Sequence, residues 1–240
     1  GEEMPVVVEG FKGGDRTDIQ LPKVQRNLLA ALKKIGKKVI FVNCSGSAIG
    51  LTPETESCEA IIQLFYPGQQ GGKALAQVLY GDYNPAGRLP LTFYKDTLQL
   101  PDFQDYSMKK RTYRYMTEEP TFSFGYGLSY TNFSYGEAIV SRNKIVIPVT
   151  NTGKVNGEEV VQLYVNRPAD VNGPIKALRA YKRIKIGAGE TVNVELPLND
   201  ETFTWWDTFT NTMITMNGDF KLMYGGSSRN QDLKTVFVKR

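Results

Sequence analysis

From Pro22 onward apolar residues recur at helical spacing, with Val24, Leu28, Leu29, Leu32 and Ile35 on one face. Pro22 suits the first turn of such a helix and Gly36 its C-terminal cap. A strand is expected directly afterwards, because Val39-Ile40-Phe41-Val42 is a continuous apolar run of the kind that is covered on both faces. Residues 43–46 read as its turn. The pattern then repeats, as residues 56–59 lead into Ala60-Ile61-Ile62-Gln63-Leu64-Phe65 and residues 67–72 form a turn. Ala74, Leu75, Val78 and Leu79 share one face of a second helix over 73–80. Alternating helix and buried strand predicts a mostly parallel sheet with crossover helices, whose ligands sit beyond the carboxyl ends of the strands. That rule puts residues 43–47 and 66–71 at the expected rim, although rim loops are also simply where chains turn.

Residues 1–20 mix acids, glycines and a short Pro5-Val6-Val7-Val8 run, a long loop with one extended segment. Between 82 and 130 the chain is rich in Pro, Gly and aromatic residues without a clear period, which marks a long connector. Beyond it the helical signal disappears. Short alternating segments recur at 144–150, 159–166, 177–186, 191–196, 212–216, 220–224 and 235–239, separated by turns such as Asn151-Thr152-Gly153 and Gly187-Ala188-Gly189-Glu190. About seven strands at this spacing are the signature of an immunoglobulin-like sandwich. The expected fold class is therefore α/β plus all-β, with the α/β domain and its connector over 1–131 and the β-sandwich over 132–240.

Composition narrows the chemistry. With 41% hydrophobic residues in 240, and helix-rich and strand-rich stretches kept apart, two smaller cores are favoured over one. The formal charge of +4 arises from 29 basic and 25 acidic residues interspersed along the chain. There is no basic stripe of the kind that tracks a phosphate backbone, so nucleic acid is not an expected partner. Histidine is absent, and Cys44 and Cys58 lack metal-ligand spacing. Zinc sites and histidine-dependent triads thus lose their usual groups, no metal or cofactor is expected, and the chemistry falls to carboxylates. Cys44 ends an apolar run and reads as a small buried hydrophobe. No stretch approaches the roughly 18–20 apolar residues that span a bilayer, so no membrane association is expected. Gly1-Glu2-Glu3 is neither a signal peptide nor an initiation site, and suggests a processed or truncated piece.

Three stretches go beyond fold class. One runs Tyr66-Pro67-Gly68-Gln69-Gln70-Gly71-Gly72 and continues through Gly81-Asp82-Tyr83-Asn84-Pro85-Ala86-Gly87-Arg88-Leu89-Pro90. Another pairs Arg111-Thr112-Tyr113-Arg114-Tyr115 with Phe124-Gly125-Tyr126-Gly127-Leu128-Ser129-Tyr130. The last joins Val149-Thr150-Asn151-Thr152-Gly153 to Gly157-Glu158-Glu159-Val160-Val161-Gln162. In order and spacing they resemble, across essentially the whole chain, the C-terminal part of family 3 glycoside hydrolases, an α/β domain followed by a fibronectin-III-like sandwich. Gln70 departs from the glutamate common at that place in the family, and reads as a packing difference. The glycine-rich turn carries neither a dinucleotide fingerprint nor a Walker sequence, so Gly68, Gly71 and Gly72 read as positions of close approach or positive φ.

The resemblance implies a retaining exo-glycosidase with two carboxylates, acting on β-linked, plant-derived oligosaccharides as a β-glucosidase or β-xylosidase, with a slight inclination to the latter. In the family the nucleophilic aspartate belongs to an N-terminal (β/α)8 barrel of the same protein, and the acid/base glutamate to a loop early in the second domain. Here that loop is residues 1–16. Gly1-Glu2-Glu3-Met4, followed by Gly13-Gly14-Asp15-Arg16 and Leu21-Pro22, resembles the acid-rich loop and its landmarks, which makes Glu2 or Glu3 the acid/base and Glu9 a third choice. A glutamate near a chain end is otherwise usually a solvated charge. Asp15-Arg16 reads as a local hydrogen-bonding element. Tyr113, Tyr115, Phe124, Tyr126 and Tyr130 are expected to cement the two domains rather than stack on sugar. Of Trp205 and Trp206, neighbours on a strand, at most one can face a ligand while the other packs the core. Alone, the chain is expected to be inactive for want of the barrel, and family habit implies a periplasmic or secreted location. The competing reading is a non-catalytic carbohydrate-binding or protein-interaction module.

Overall fold

The structure, a computed structural model, describes residues 11–12 and 15–240, with side chains from residue 17 on. Two short strands, β1 (Phe11–Lys12) and β2 (Asp15–Arg16), pair antiparallel. Helix α1 (Lys23–Lys34) follows Pro22 as the sequence predicts, and closes in a Schellman motif. Gly36 takes φ +72° there, its N–H bonds Lys33 O at 2.9 Å, and Lys37 N–H bonds Leu32 O at 3.0 Å. Strand β3 (Ile40–Asn43) and strand β4 (Ala60–Gln63) pair in parallel, joined through α2 (Thr52–Ser57), and α3 (Gly71–Leu79) follows β4. The six-residue α2 has no apolar period, and only Pro53 near its start marks it.

A small core holds this part together, made of Leu21, Leu29, Ile49, Leu51 and Phe93. The apolar face of α1 is largely uncovered. Leu29 is buried, but Val24, Leu28 and Ile35 are 74%, 59% and 66% exposed. The two strands likewise depart from the expectation of cover on both faces, since Ile40 is exposed and Phe41, Val42, Ile61 and Ile62 are half-buried. A two-stranded sheet presents too little surface to cover both a helix face and its own far side. Cys44 is exposed rather than buried for the same reason. Of the three turn glycines only Gly71 is a close approach, where a Cβ would lie 2.4 Å from Pro67 Cβ; Gly68 and Gly72 have open space and ordinary φ.

The connector carries the single-turn helix α4 (Thr112–Tyr115) and then gives way to strands. These are β5 (Phe133–Tyr135), β6 (Ile139–Val140), β7 (Lys144–Asn151), β8 (Gly157–Asn166), β9 (Ala177–Ile186), β10 (Thr191–Pro197), β11 (Thr204–Asp207), β12 (Thr212–Thr215), β13 (Asp219–Gly225) and β14 (Leu233–Lys239). One sheet has the order β10-β7-β5 with β6 also on β7, the other β14-β13-β8-β9, and β11 with β12 forms a separate hairpin. Ile145, Ile147 and Val149 of β7 alternate inward and meet Val161, Leu163, Val165, Phe220 and Leu222 from the opposite sheet, all fully buried. Asn151 closes that alternation. Its buried amide donates to Val155 O and Ile186 O and accepts from Thr131 Oγ1, which fixes the turn after β7.

A polar and aromatic seam joins the connector to the sandwich. Arg88 Nη2 donates to Glu159 Oε2 at 2.9 Å, with side-chain exposures of 9% and 5%. Gln162 Nε2 donates to Gly125 O at 3.2 Å and to Gly226 O at 2.6 Å, and Gly125, at φ +80°, leaves no room for a Cβ beside that amide. Tyr113 stacks on Phe124 at 4.4 Å between ring centres and meets Tyr164 of β8 edge-on at 5.6 Å, so these two rings join connector to sandwich as expected, whereas Tyr126 stacks on Phe122 and the half-exposed Tyr130 bonds Val78 O. Two carboxylates are buried among the described residues, Glu54 of α2 and Glu159 of β8. Burial pushes both carboxyls above the usual range, opposed at Glu54 by its own backbone N–H and then Arg26, and at Glu159 chiefly by Arg88.

Two outcomes are expected. Arg88→Ala strands a buried carboxylate and lowers the unfolding free energy in urea by about 3–5 kcal/mol, whereas joint replacement of Arg88 and Glu159 by Met costs far less. For Glu54 the folded-state pKa lies above the unfolded one, so its favourable contribution is present at low pH and lost as pH rises through the folded value. The melting temperature of Glu54→Gln relative to the parent therefore moves upward between about pH 4 and about pH 7, read by thermal denaturation across that range.

Candidate active site

Glu2, Glu3 and Glu9 lie outside the described residues, as do the side chains of Asp15 and Arg16. What the structure describes is where the segment leaving their loop enters the fold. Gln20 forms a parallel bridge with Gly50, and Gly50 N–H bonds Ile19 O at 2.9 Å. Asp18 Oδ1 accepts from Gln20 N–H at 2.9 Å, and the Gln20 amide oxygen accepts from Arg26 of α1. Gly50 ends the loop that follows β3, and α2 begins two residues later. Residues 19–20 therefore lie against the loop that leaves the carboxyl end of β3, the side where open α/β sheets hold their ligands.

At that rim β3 and β4 end on Asn43 and Gln63, which face each other in register. The buried Asn43 Nδ2 donates to Gln63 Oε1 at 2.5 Å and to Ser45 Oγ at 3.0 Å. Gln63 Nε2 donates to Ser45 O at 3.1 Å and Ser45 Oγ at 3.3 Å, while Ser45 Oγ donates to Ser47 O at 2.9 Å. This set of amides and one hydroxyl ties the loop after β3 to the end of β4. Next to it Phe65 holds φ +54°, a left-handed conformation unusual for a bulky residue, and turns the chain so that Tyr66 covers Gly46. The sequence pointed to residues 43–47 and 66–71; Gln63 was missed, although a polar residue inside an apolar strand and level with Asn43 was a signal for it.

This rim positions groups by hydrogen bonding, and the set of Asn43, Ser45, Ser47 and Gln63 contains no carboxylate. Glu54, the buried carboxylate of the α/β part, lies in α2 near Arg26, with its Oε2 unpartnered. Among the described residues no group of three or more His, Cys, Asp or Glu is placed to hold a metal ion. The tryptophans divide as their parity requires. Trp205 is 2% exposed and donates Nε1–H to Asp170 Oδ2 at 2.7 Å, while Trp206 is 50% exposed on the other side of the hairpin. No helix among the described residues is long and apolar enough to cross a membrane.

Comparison with known proteins bears on both halves of the chain. Residues 1–130 match the glycosyl hydrolase family 3 C-terminal domain, and residues 159–228 match the fibronectin type III-like domain. A xylan 1,4-beta-xylosidase of Xylanibacter ruminicola is 57% identical over 99% of this chain and 28% of its own length. A periplasmic beta-glucosidase of Salmonella typhimurium is 34% identical over 82% of this chain and 28% of its own. Among solved structures, a β-glucosidase from Erythrobacter marinus aligns with a TM-score of 0.80 at 33% identity, over 94% of this chain and 31% of that one. The beta-D-glucoside glucohydrolase of Trichoderma reesei aligns at 0.83 and 25% identity, over 98% and 38%. The chain thus spans roughly a third of the length of such relatives, and by its α/β part and its sandwich together it belongs to glycosyl hydrolase family 3.

Proposed function

We propose that this chain is the C-terminal portion of a retaining exo-β-glycosidase of the β-xylosidase type, working on plant-derived oligosaccharides and supplying the acid/base loop to a site completed by an N-terminal (β/α)8 barrel of the same protein. The observation that carries this is the 57% identity to a xylan 1,4-beta-xylosidase across 99% of the chain but only 28% of that relative. A retaining displacement needs two carboxyl groups about 5–5.5 Å apart, one attacking the anomeric carbon while the other protonates the departing oxygen, after which water, deprotonated by the second, releases the sugar. Glu2 or Glu3 is the acid/base, with Glu9 in reserve, and the nucleophilic aspartate comes from the barrel. The bridge of Gln20 to Gly50, in the loop that leaves the carboxyl end of β3, supports this assignment. So does the uncovered apolar face of α1, with Val24, Leu28 and Ile35 in solvent, a surface suited to packing against another part of the same protein. The two units divide at residues 131 and 132, ahead of β5. Export to the periplasm or beyond fits a substrate of polymeric origin, and the similar Salmonella protein is named a periplasmic beta-glucosidase.

The test is kinetic and made in the full-length protein. Replacing the acid/base glutamate, as Glu2→Gln or Glu3→Gln, is expected to lower kcat/KM by about 10²–10⁴ for a glycoside with a poor leaving group and much less for an activated aryl glycoside, whose departure needs no proton. The 240-residue chain on its own is expected not to turn over chromogenic β-xylosides. Substantial turnover by the pure chain would contradict the shared-site reading.

A further inference from the structure

The loop that follows β4 sets one aromatic ring at the carboxyl-end rim and fixes it there by three local constraints. Phe65 holds φ +54°, a conformation in which a bulky residue persists only when its surroundings over-determine it. Tyr66, the next residue, is 78% exposed, yet its ring lies on Gly46 of the loop after β3, where a Cβ would come within 2.6 Å of the tyrosine Cε2. That seat is itself held, since Ser45 Oγ donates to Ser47 O across Gly46 at 2.9 Å. Pro67 is locked in turn against Gly71 at the start of α3, where a Cβ would meet Pro67 Cβ at 2.4 Å. A side chain that merely trails in solvent needs none of this. Here the backbone keeps one apolar ring face presented to water, an arrangement that becomes favourable when something lies against it.

Position and charge decide what that is. Strands β3 and β4 are parallel, and open α/β sheets hold ligands beyond the carboxyl ends of their strands, where Tyr66 stands just past Gln63, the last residue of β4. Neither rim loop, 43–47 or 64–72, contains a charged residue, so nothing in them selects an ion. A tyrosine ring offers an apolar face to the C–H side of a pyranose and a hydroxyl to its edge. In a retaining reaction the general acid sits at the departing oxygen, so the part of the protein that supplies it borders the leaving group rather than the sugar under attack. We propose that Tyr66 is a specificity-determining residue of the shared site, its ring the platform on which the leaving sugar of a β-linked oligosaccharide stacks. The inference rests on the glycosidase reading and adds to it the residue that recognises a saccharide leaving group.

Steady-state kinetics of the full-length protein test it, with xylobiose, whose leaving group is a sugar, and β-xylosyl fluoride, whose leaving group has no ring to stack. Tyr66→Ala is expected to raise KM for xylobiose about tenfold with kcat little changed, the mark of a contact made equally in the ground and transition states. Tyr66→Phe keeps the ring and stays near the parent. Kinetics on β-xylosyl fluoride and the melting temperature are unchanged in both variants, because this exposed side chain belongs to no core. Equal loss on both substrates would mark the ring as packing against another part of the protein and overturn the proposal, as would xylobiose kinetics that Tyr66→Ala leaves alone. A parent inactive on both substrates overturns the glycosidase reading and this inference with it, whereas an active parent with either of those results overturns this inference alone.

Discussion

A carboxyl group taken out of water must keep its proton or be met by a charge at close range, and at Glu159 of β8 the charge comes from Arg88 of the connector. Because the two residues lie in different parts of the fold, the pair makes the connector an integral wall of the sandwich rather than a flexible link. The neighbouring contacts follow from the same closeness. Gln162, three residues along β8, reaches Gly125 O only because Gly125 adopts positive φ and brings no side chain. Lys176 and Ser228 extend the seam, with Lys176 Nζ on Ser228 O at 2.8 Å and Ser228 Oγ on Phe124 O at 2.8 Å. A break at Arg88 would thus be felt along the whole seam.

The two halves that this seam joins are built very differently. In the sandwich both sheets contribute fully buried residues to one core, and a bulge between Leu163 and Tyr164 adjusts the β8 to β9 register within it. The α/β part has a handful of buried residues, a two-stranded sheet and a helix whose apolar face is mostly wet. Local opening should accordingly begin around α1 and β3 and spare β7, β8 and β13, since few buried contacts and solvent-exposed helix faces mark the low-stability end of a structure. The rim network of Asn43, Ser45 and Gln63 counters this where it matters, by holding the two strand ends in register without help from a large core.

How much of this could be read from the chain depends on how strictly a residue obeys a period. Strands β7 and β9 were legible because Ile145, Ile147 and Val149 alternate cleanly, and because Ala177–Ile186 ends at a turn whose Gly189 takes φ +75°. Parity also settled the tryptophans. The same parity, followed from Val161 back through β8, puts Glu159 on the inner face, so its burial was encoded although a glutamate is read by habit as surface. Helix α2 was not legible, since Thr52–Ser57 offers no apolar stripe and is held by its place between two strands. Nor was the exposure of Val24 and Leu28, because a helical period reports which residues share a face and is silent on whether anything lies against that face. Of the candidate site, the rim loops were legible from strand ends, whereas Gln63 was missed, because its register with Asn43 appears only once the two strands pair. The acid-rich loop rested on resemblance alone.

The chemistry of the rim bears directly on what a general acid in that loop would need. A glutamate holds its proton near neutral pH only when burial or a nearby negative charge raises its pKa. Asn43, Ser45, Ser47 and Gln63 are neutral, and the amides and hydroxyl among them spend their hydrogen bonds on one another. Such a surface can hold a loop in position, but it supplies neither the apolar enclosure nor the second charge that would shift a carboxyl. If Glu2 or Glu3 is the acid, its proton must therefore be retained by groups beyond this rim. The facing carboxylate of a retaining pair is the simplest source, since two acids about 5–5.5 Å apart resist simultaneous ionisation. On the proposed function, dividing the two carboxyls between separate parts of one protein would be a safeguard as well as a geometry, because the acid would acquire its working pKa only with the nucleophile opposite it.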